Sequence, residues 1–167
     1  ATALLVRTTV VNDTVVDNNE TFTLTVTPSG GTAAVGTATI KDDGTGDIFK
    51  ADGTKDGDAT KNDDRSLSFS DITVNEASPY AVFTVGVTSG QNLSLALANG
   101  SGTVATGGTS TTSTDGTVDY GSDKLQYSLN NGASWNNYTG AFDATLTSGA
   151  TALLVRTTVV NDTVVDN

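Results

Sequence analysis

The cleanest alternation of apolar and polar positions is Thr21-Phe-Thr-Leu-Thr-Val-Thr27, where Phe22, Leu24 and Val26 are separated by threonines. Successive strand side chains point to opposite faces, so a period of two predicts a β-strand with one core face and one threonine face. The same reading predicts a β-rich segment from Leu4 to Val11, closed by the turn residues Asn12-Asp13. It predicts further strands over 33–40 and 67–74, one carrying Ala81, Phe83, Val85 and Val87, and one marked by Leu93, Leu95 and Leu97. Leu125, Tyr127 and Leu129 alternate before Asn130-Asn-Gly132, the signal of a two-residue hairpin turn. Residues 101–117 hold almost no large apolar groups and read as a loop with a weak strand. No segment has helical spacing. Short strands separated by turn residues predict an all-β chain built as an antiparallel two-sheet, Ig-like sandwich.

One predicted strand occurs twice. Residues 1–18 recur without a change as residues 150–167, an offset of 149. An unbroken match of that length marks a tandem repeat and decides what counts as a module. The chain then reads as sandwich repeats cut out of phase. Residues 1–43 form the C-terminal part of one module, and residues 66–167 the N-terminal part of the next. Between them, residues 44–65 are rich in Gly and Asp, offer only Ile48 and Phe49 for burial, and read as a linker. The strands over 21–27 and 33–40 lie upstream of that linker, so the second module lacks them within this chain. The expectation is a segment of a continuous fibre, with neighbouring repeats or identical chains as its partners.

Composition narrows the chemistry. There is no Cys, Met or His, which excludes thiol catalysis, disulfides, histidine bases and zinc sites of the usual ligands. Eight basic residues face 19 acidic ones, for a net charge of −11. That balance repels nucleic acid and attracts cations. No apolar run approaches the roughly 18 residues of a membrane span, so no membrane insertion is expected in this segment.

The acidic residues cluster in turns: Asp13, Asp17 and Glu20, with Asp162 and Asp166 repeating the first two; Asp42 and Asp43; Glu76; and Asp119. Calcium takes six to eight oxygens in irregular geometry, and loops at one pole of a sandwich can bring such residues together. Paired carboxylates also serve glycosidases, but here they sit in Asn/Asp-rich turns without an apolar pocket to raise one pKa, so no enzyme is expected. Asp52-Gly-Thr-Lys-Asp56-Gly-Asp58 has the composition of a metal loop but lacks the Glu at the twelfth position of an EF-hand.

Val74-Asn-Glu76, Val118-Asp-Tyr120, residues 12–22 and Ala38-Thr-Ile-Lys-Asp-Asp43 together resemble the Calx-β family, in permuted order. The resemblance implies a Calx-β-like sandwich binding Ca2+ through Asp13, Asp17, Glu20, Asp42, Asp43, Glu76 and Asp119, with Asp162 and Asp166 in the second copy. The chain departs from the family pattern at Asn12-Asp13, where an acidic pair is usual, and at Asp17, where Glu is usual. Residues 126–135 are similar to the form these modules take in large bacterial surface proteins. The implied function is a calcium-stabilised structural repeat of an extracellular adhesin stalk or surface filament. The alternative is a glycan- or surface-binding module using Trp135 and Tyr138.

Overall fold

A computed structural model describes residues 3–17, 19–101, 104–110, 112 and 116–162. The described residues contain no helix and divide between two compact units, 1–65 and 66–167. The chain is all-β and its sheets are antiparallel, apart from one short parallel pair.

Unit 1 is built on a two-stranded ribbon, β1 (Glu20–Val26) and β2 (Ala34–Ile40), paired from Glu20↔Ile40 to Val26↔Ala34. The register places Phe22, Leu24 and Val26 beside Ala38, Gly36 and Ala34 on one face, with the threonines of β1 on the other. The alternation predicted for this strand is therefore present, but its apolar face is largely uncovered: Phe22, Leu24 and Val26 are all exposed, and only the Phe22 end has the side chains of Val10, Ile48 and Phe49 beside it. Residues 44–65 are not a featureless connection. Bridges Phe49↔Lys55 and Asp43↔Asp63 fold them back, with Asp56 N–H donating to the Ile48 carbonyl at 2.7 Å. Asp52 Oδ1 accepts the Thr54 amide at 2.9 Å, an Asx turn that closes this small hairpin.

Unit 2 contains β3 (Ser68–Phe69), β4 (Tyr80–Gly86), β5 (Asn92–Leu93), β6 (Gly107–Gly108), β7 (Tyr120–Gly121), β8 (Gln126–Ser128), β9 (Asn136–Asn137), β10 (Phe142–Asp143) and β11 (Leu153–Thr158). Five of them form a sheet in the order β3-β4-β11-β8-β9. A second layer, the β5–β10 ribbon, brings Leu93, Phe142 and Ala144 against Val85, Leu153 and Val155. The Tyr127 ring stacks on Phe142 at 3.8 Å across this interior. The arrangement is consistent with a β-sandwich whose second sheet is short. Its coverage stops before β3: Phe69 pairs with Val85 and so shares the core face, yet remains 64% exposed, in contact with Phe83.

Most predicted strands form, several of them shorter. The hairpin after β8 differs in detail. Asn131 and Gly132 both take positive φ, 56° and 81°, the backbone a tight hairpin turn demands. Pairing with β9 begins only at Tyr127↔Asn136, so residues 129–135 form a longer connection. Asn130 causes this: its Oδ1 accepts the Ser134 amide at 2.9 Å and draws the loop around itself.

The repeated sequence has two fates. In unit 2 it forms β11, the central strand, hydrogen-bonded to β4 on one edge and β8 on the other. In unit 1 the same residues belong to no strand and lie exposed. Leu153 is 0% exposed and its counterpart Leu4 80%; Val155 is 6% and Val6 58%; Val160 is 1% and Val11 84%. Since the sequences are identical, intrinsic propensity cannot separate the outcomes, and the available partner strands must. Leu153→Ala is accordingly expected to cost about 2–4 kcal/mol, whereas Leu4→Ala should stay within about 0.5 kcal/mol of the parent chain. Denaturant unfolding of both variants in dilute solution, where chains do not meet, measures the difference.

Candidate functional site

The acidic residues singled out from the sequence are divided between the two units. In unit 2 they gather where the chain leaves β11. Val159 N–H donates to the Pro79 carbonyl at 3.3 Å, Val160 N–H to the Asp119 carbonyl at 2.8 Å, and Asp162 N–H to Glu76 Oε1 at 2.8 Å. The outgoing strand is thus held between the turn carrying Glu76 and the segment carrying Asp119. Asp119 is fixed in turn by Thr106, whose amide donates to Asp119 Oδ2 at 2.6 Å. Glu76, Asp119 and Asp162 therefore occupy one end of the unit. Asp166 lies outside the described residues.

In unit 1 the Asp17 amide donates to Asp42 Oδ2, joining the loop before β1 to the turn after β2. Asp13 Oδ1 accepts the Val15 amide at 2.8 Å in an Asx turn. Glu20 opens β1 opposite Ile40. Asp43 pairs with Asp63 in a β-bridge and lies 3.7 Å from Lys41 Nζ. The hydroxyl and amide of Thr45 both donate to Asp43 Oδ1, and the hydroxyl contact is the main cause that holds the Asp43 carboxyl below its ordinary pKa.

The sequence reading missed Asp63 and Arg65, which sit in the segment taken as a linker. Arg65 grips Asp63 through two parallel bonds, Nε to Oδ1 at 2.8 Å and a terminal nitrogen to Oδ2 at 2.6 Å. The pair is half-buried. The guanidinium hydrogen bond is the leading cause that lowers the Asp63 pKa and raises that of Arg65. The run Lys61-Asn-Asp-Asp-Arg65 held the signal, a carboxylate two residues before an arginine, but only a folded-back loop gives it meaning.

Calcium would require these carboxylates to converge. Among the described residues, no group of three or more acidic side chains does so in a form that could hold a metal ion. Carboxylate oxygens of this kind are the ligands a hard cation takes.

Trp135 and Tyr138 are both engaged within unit 2. Arg156, on the outward face of β11, places its guanidinium 3.9 Å from the Tyr80 ring centre and 4.0 Å from that of Trp135. Its Nε donates to Gln126 Oε1 at 2.8 Å, fixing the cation between the two rings. The Tyr138 hydroxyl accepts the Leu95 amide at 3.0 Å, and its ring meets Phe142 edge-on at 6.2 Å. These contacts tie both rings to the framework of unit 2. Arg156 was not singled out from the sequence because its role depends on the register of three strands.

No family model, curated protein or solved structure matches this chain. Among the described residues no helix is long and apolar enough to cross a membrane.

The Asp63–Arg65 pair gives unit 1 a defined acid response. A depressed folded-state pKa adds stability that is present above the unfolded value of about 3.9 and is lost as pH falls through the folded value. Asp63→Asn should therefore weaken unit 1 by about 1–2 kcal/mol at neutral pH and by much less near pH 3. Protection factors of the Gly44 and Asp64 amides, which close this loop onto Asn62 and Asp42, provide the local readout.

Proposed function

We propose that this chain is a non-catalytic structural repeat of an extracellular bacterial adhesin stalk or surface filament, built from Calx-β-like, Ig-like sandwiches stiffened by Ca2+. The observation that carries the reading is the double fate of residues 1–18 and 150–167. One copy is the central buried strand of a sheet with a second layer, and the other is exposed beside a ribbon whose apolar face is largely uncovered. In a tandem array the exposed copy would follow a preceding unit 2 and fill the position of β11. The ribbon β1–β2 would then extend the short second layer. Identical repeats supply length at little cost in sequence information, which suits a spacer.

The same superposition joins the acidic set. Asp13 and Asp162 hold the same place in the repeat. A unit 1 following a unit 2 would therefore carry Asp17, Glu20, Asp42 and Asp43 on the chain that leaves the Glu76–Asp119 end. The set is divided between the two units of one chain, which fits the lack of convergence in either. Calcium there would offset the mutual repulsion of the carboxylates in a chain of net charge −11.

A ligand that binds only the folded state stabilises by mass action, by about 2.7 kcal/mol at one hundred times its dissociation constant. Calcium is expected to raise the melting temperature of a chain of two periods, with magnesium substituting poorly. Glu76→Gln, which retains an acceptor for the Asp162 amide but removes the charge, should shrink that shift. Asp58→Asn, at an exposed position of the 44–65 loop, should leave it intact. Melting curves that coincide in calcium and in chelator would refute the metal assignment.

A further inference from the structure

The slot filled by β11 is specified by particular side chains. Leu153 and Val155 lie opposite Val85 and Phe83 on the core face. The Thr157 hydroxyl donates to the Gly121 carbonyl, and Arg156 sits between Tyr80 and Trp135. Each of these groups has an identical counterpart in unit 1: Leu4, Val6, Thr8 and Arg7. The slot therefore cannot distinguish the two segments. Unit 1 meanwhile exposes Leu4, Val6 and Val11 together with the apolar face of β1–β2, and unit 2 exposes Leu67 and Phe69 where its second layer stops.

We propose that copies of this chain associate head to tail by strand exchange. Residues 4–11 of one copy enter between β4 and β8 of a second copy, in place of that copy's residues 153–160. They bring the apolar face of β1–β2 onto the uncovered part of its sheet. Exchange replaces a strand with the same strand, so the ladder bonds and core contacts of the slot are conserved. The net driving force is the burial of the ribbon face against Phe69 and its neighbours. Opposing it is the tether of the resident strand, whose effective concentration lies in the millimolar range for a short connection. The association is consequently concentration-dependent. Its contact joins different surfaces of the two copies and need not close, so it propagates as an open chain of molecules. It depends neither on calcium nor on where the protein resides.

The chain has no cysteine, so a register-specific cross-link tests this directly. Thr84 lies opposite Leu154, the counterpart of Leu5, on the outward face of the sheet. Chains carrying Leu5→Cys and chains carrying Thr84→Cys are mixed in denaturant, refolded together and oxidised. Separate chains make an intramolecular bond impossible. A disulfide-linked heterodimer is expected, with a yield that rises with protein concentration. The yield should rise several-fold when the Thr84→Cys chain also carries Val155→Ala, which weakens the resident strand. Adding Val6→Asp to the Leu5→Cys chain should suppress it, because Val6 would enter the position of buried Val155. Fluorescence of Trp135, the only tryptophan, verifies that the unit 2 carrying Thr84→Cys has refolded around Arg156. Replacing Leu5→Cys by Val6→Cys supplies the off-register control, since that side chain points to the opposite face. A heterodimer yield no greater than this control at every concentration overturns the proposal.

Discussion

A β-strand rich in apolar residues needs two things at once: partners for its backbone on both edges, and a layer to cover one of its faces. Residues 153–158 have both, with β4 and β8 beside them and the β5–β10 ribbon across the core. Residues 4–9 are the same amino acids and have neither a paired edge nor a covered face. Unpaired backbone groups and exposed valines can persist at the surface because water satisfies the former and tolerates the latter. They gain nothing by ordering as a strand. The rest of the architecture follows from which segment finds a slot.

Unit 2 approaches a complete sandwich because its central strand is supplied from its own C-terminal end. Arg156 shows how closely that strand is matched to its neighbours: its stem follows the sheet while its guanidinium bridges rings from before β9 and from β4. Unit 1 is organised differently. Its order comes from polar contacts at turns, with the Asp63–Arg65 pair, the Asx turns and the Asp17–Asp42 contact standing where a core would otherwise be. A two-stranded ribbon without a covered face is marginal in water. The apolar side of β1–β2 is therefore the feature of unit 1 that most requires a partner.

Periodicity revealed much of this fold. The alternation around Phe22, Leu24 and Val26 yields β1, and that around Ala81 and Val85 yields β4, because a period of two leaves few other conformations. The identity of residues 1–18 and 150–167 was equally plain in the sequence. What periodicity could not give was burial, which belongs to the partner and not to the strand, as Leu4 and Leu153 demonstrate. Residues 44–65 looked featureless because hydrogen bonds accepted by the carboxylates of Asp52, Asp56 and Asp63 organise them, and polar side chains leave no periodic trace. Of the acidic set, Glu76, Asp119 and Asp162 lie in separate turns along the sequence, and only the backbone contacts of the chain leaving β11 place them at one end of unit 2, where their carboxylates do not converge.

The central claim is that the fate of the repeated segment is decided by the slot available to it. Residue-resolved amide hydrogen exchange, compared between the single chain in dilute solution and a chain of two consecutive periods, tests this most directly. In the single chain, the amides of residues 153–158 should be strongly protected while those of residues 4–9 exchange freely. In the two-period chain, the copy at the seam should be protected and only the first copy should remain free. Equal protection of residues 4–9 and 153–158 in the dilute single chain would contradict the account.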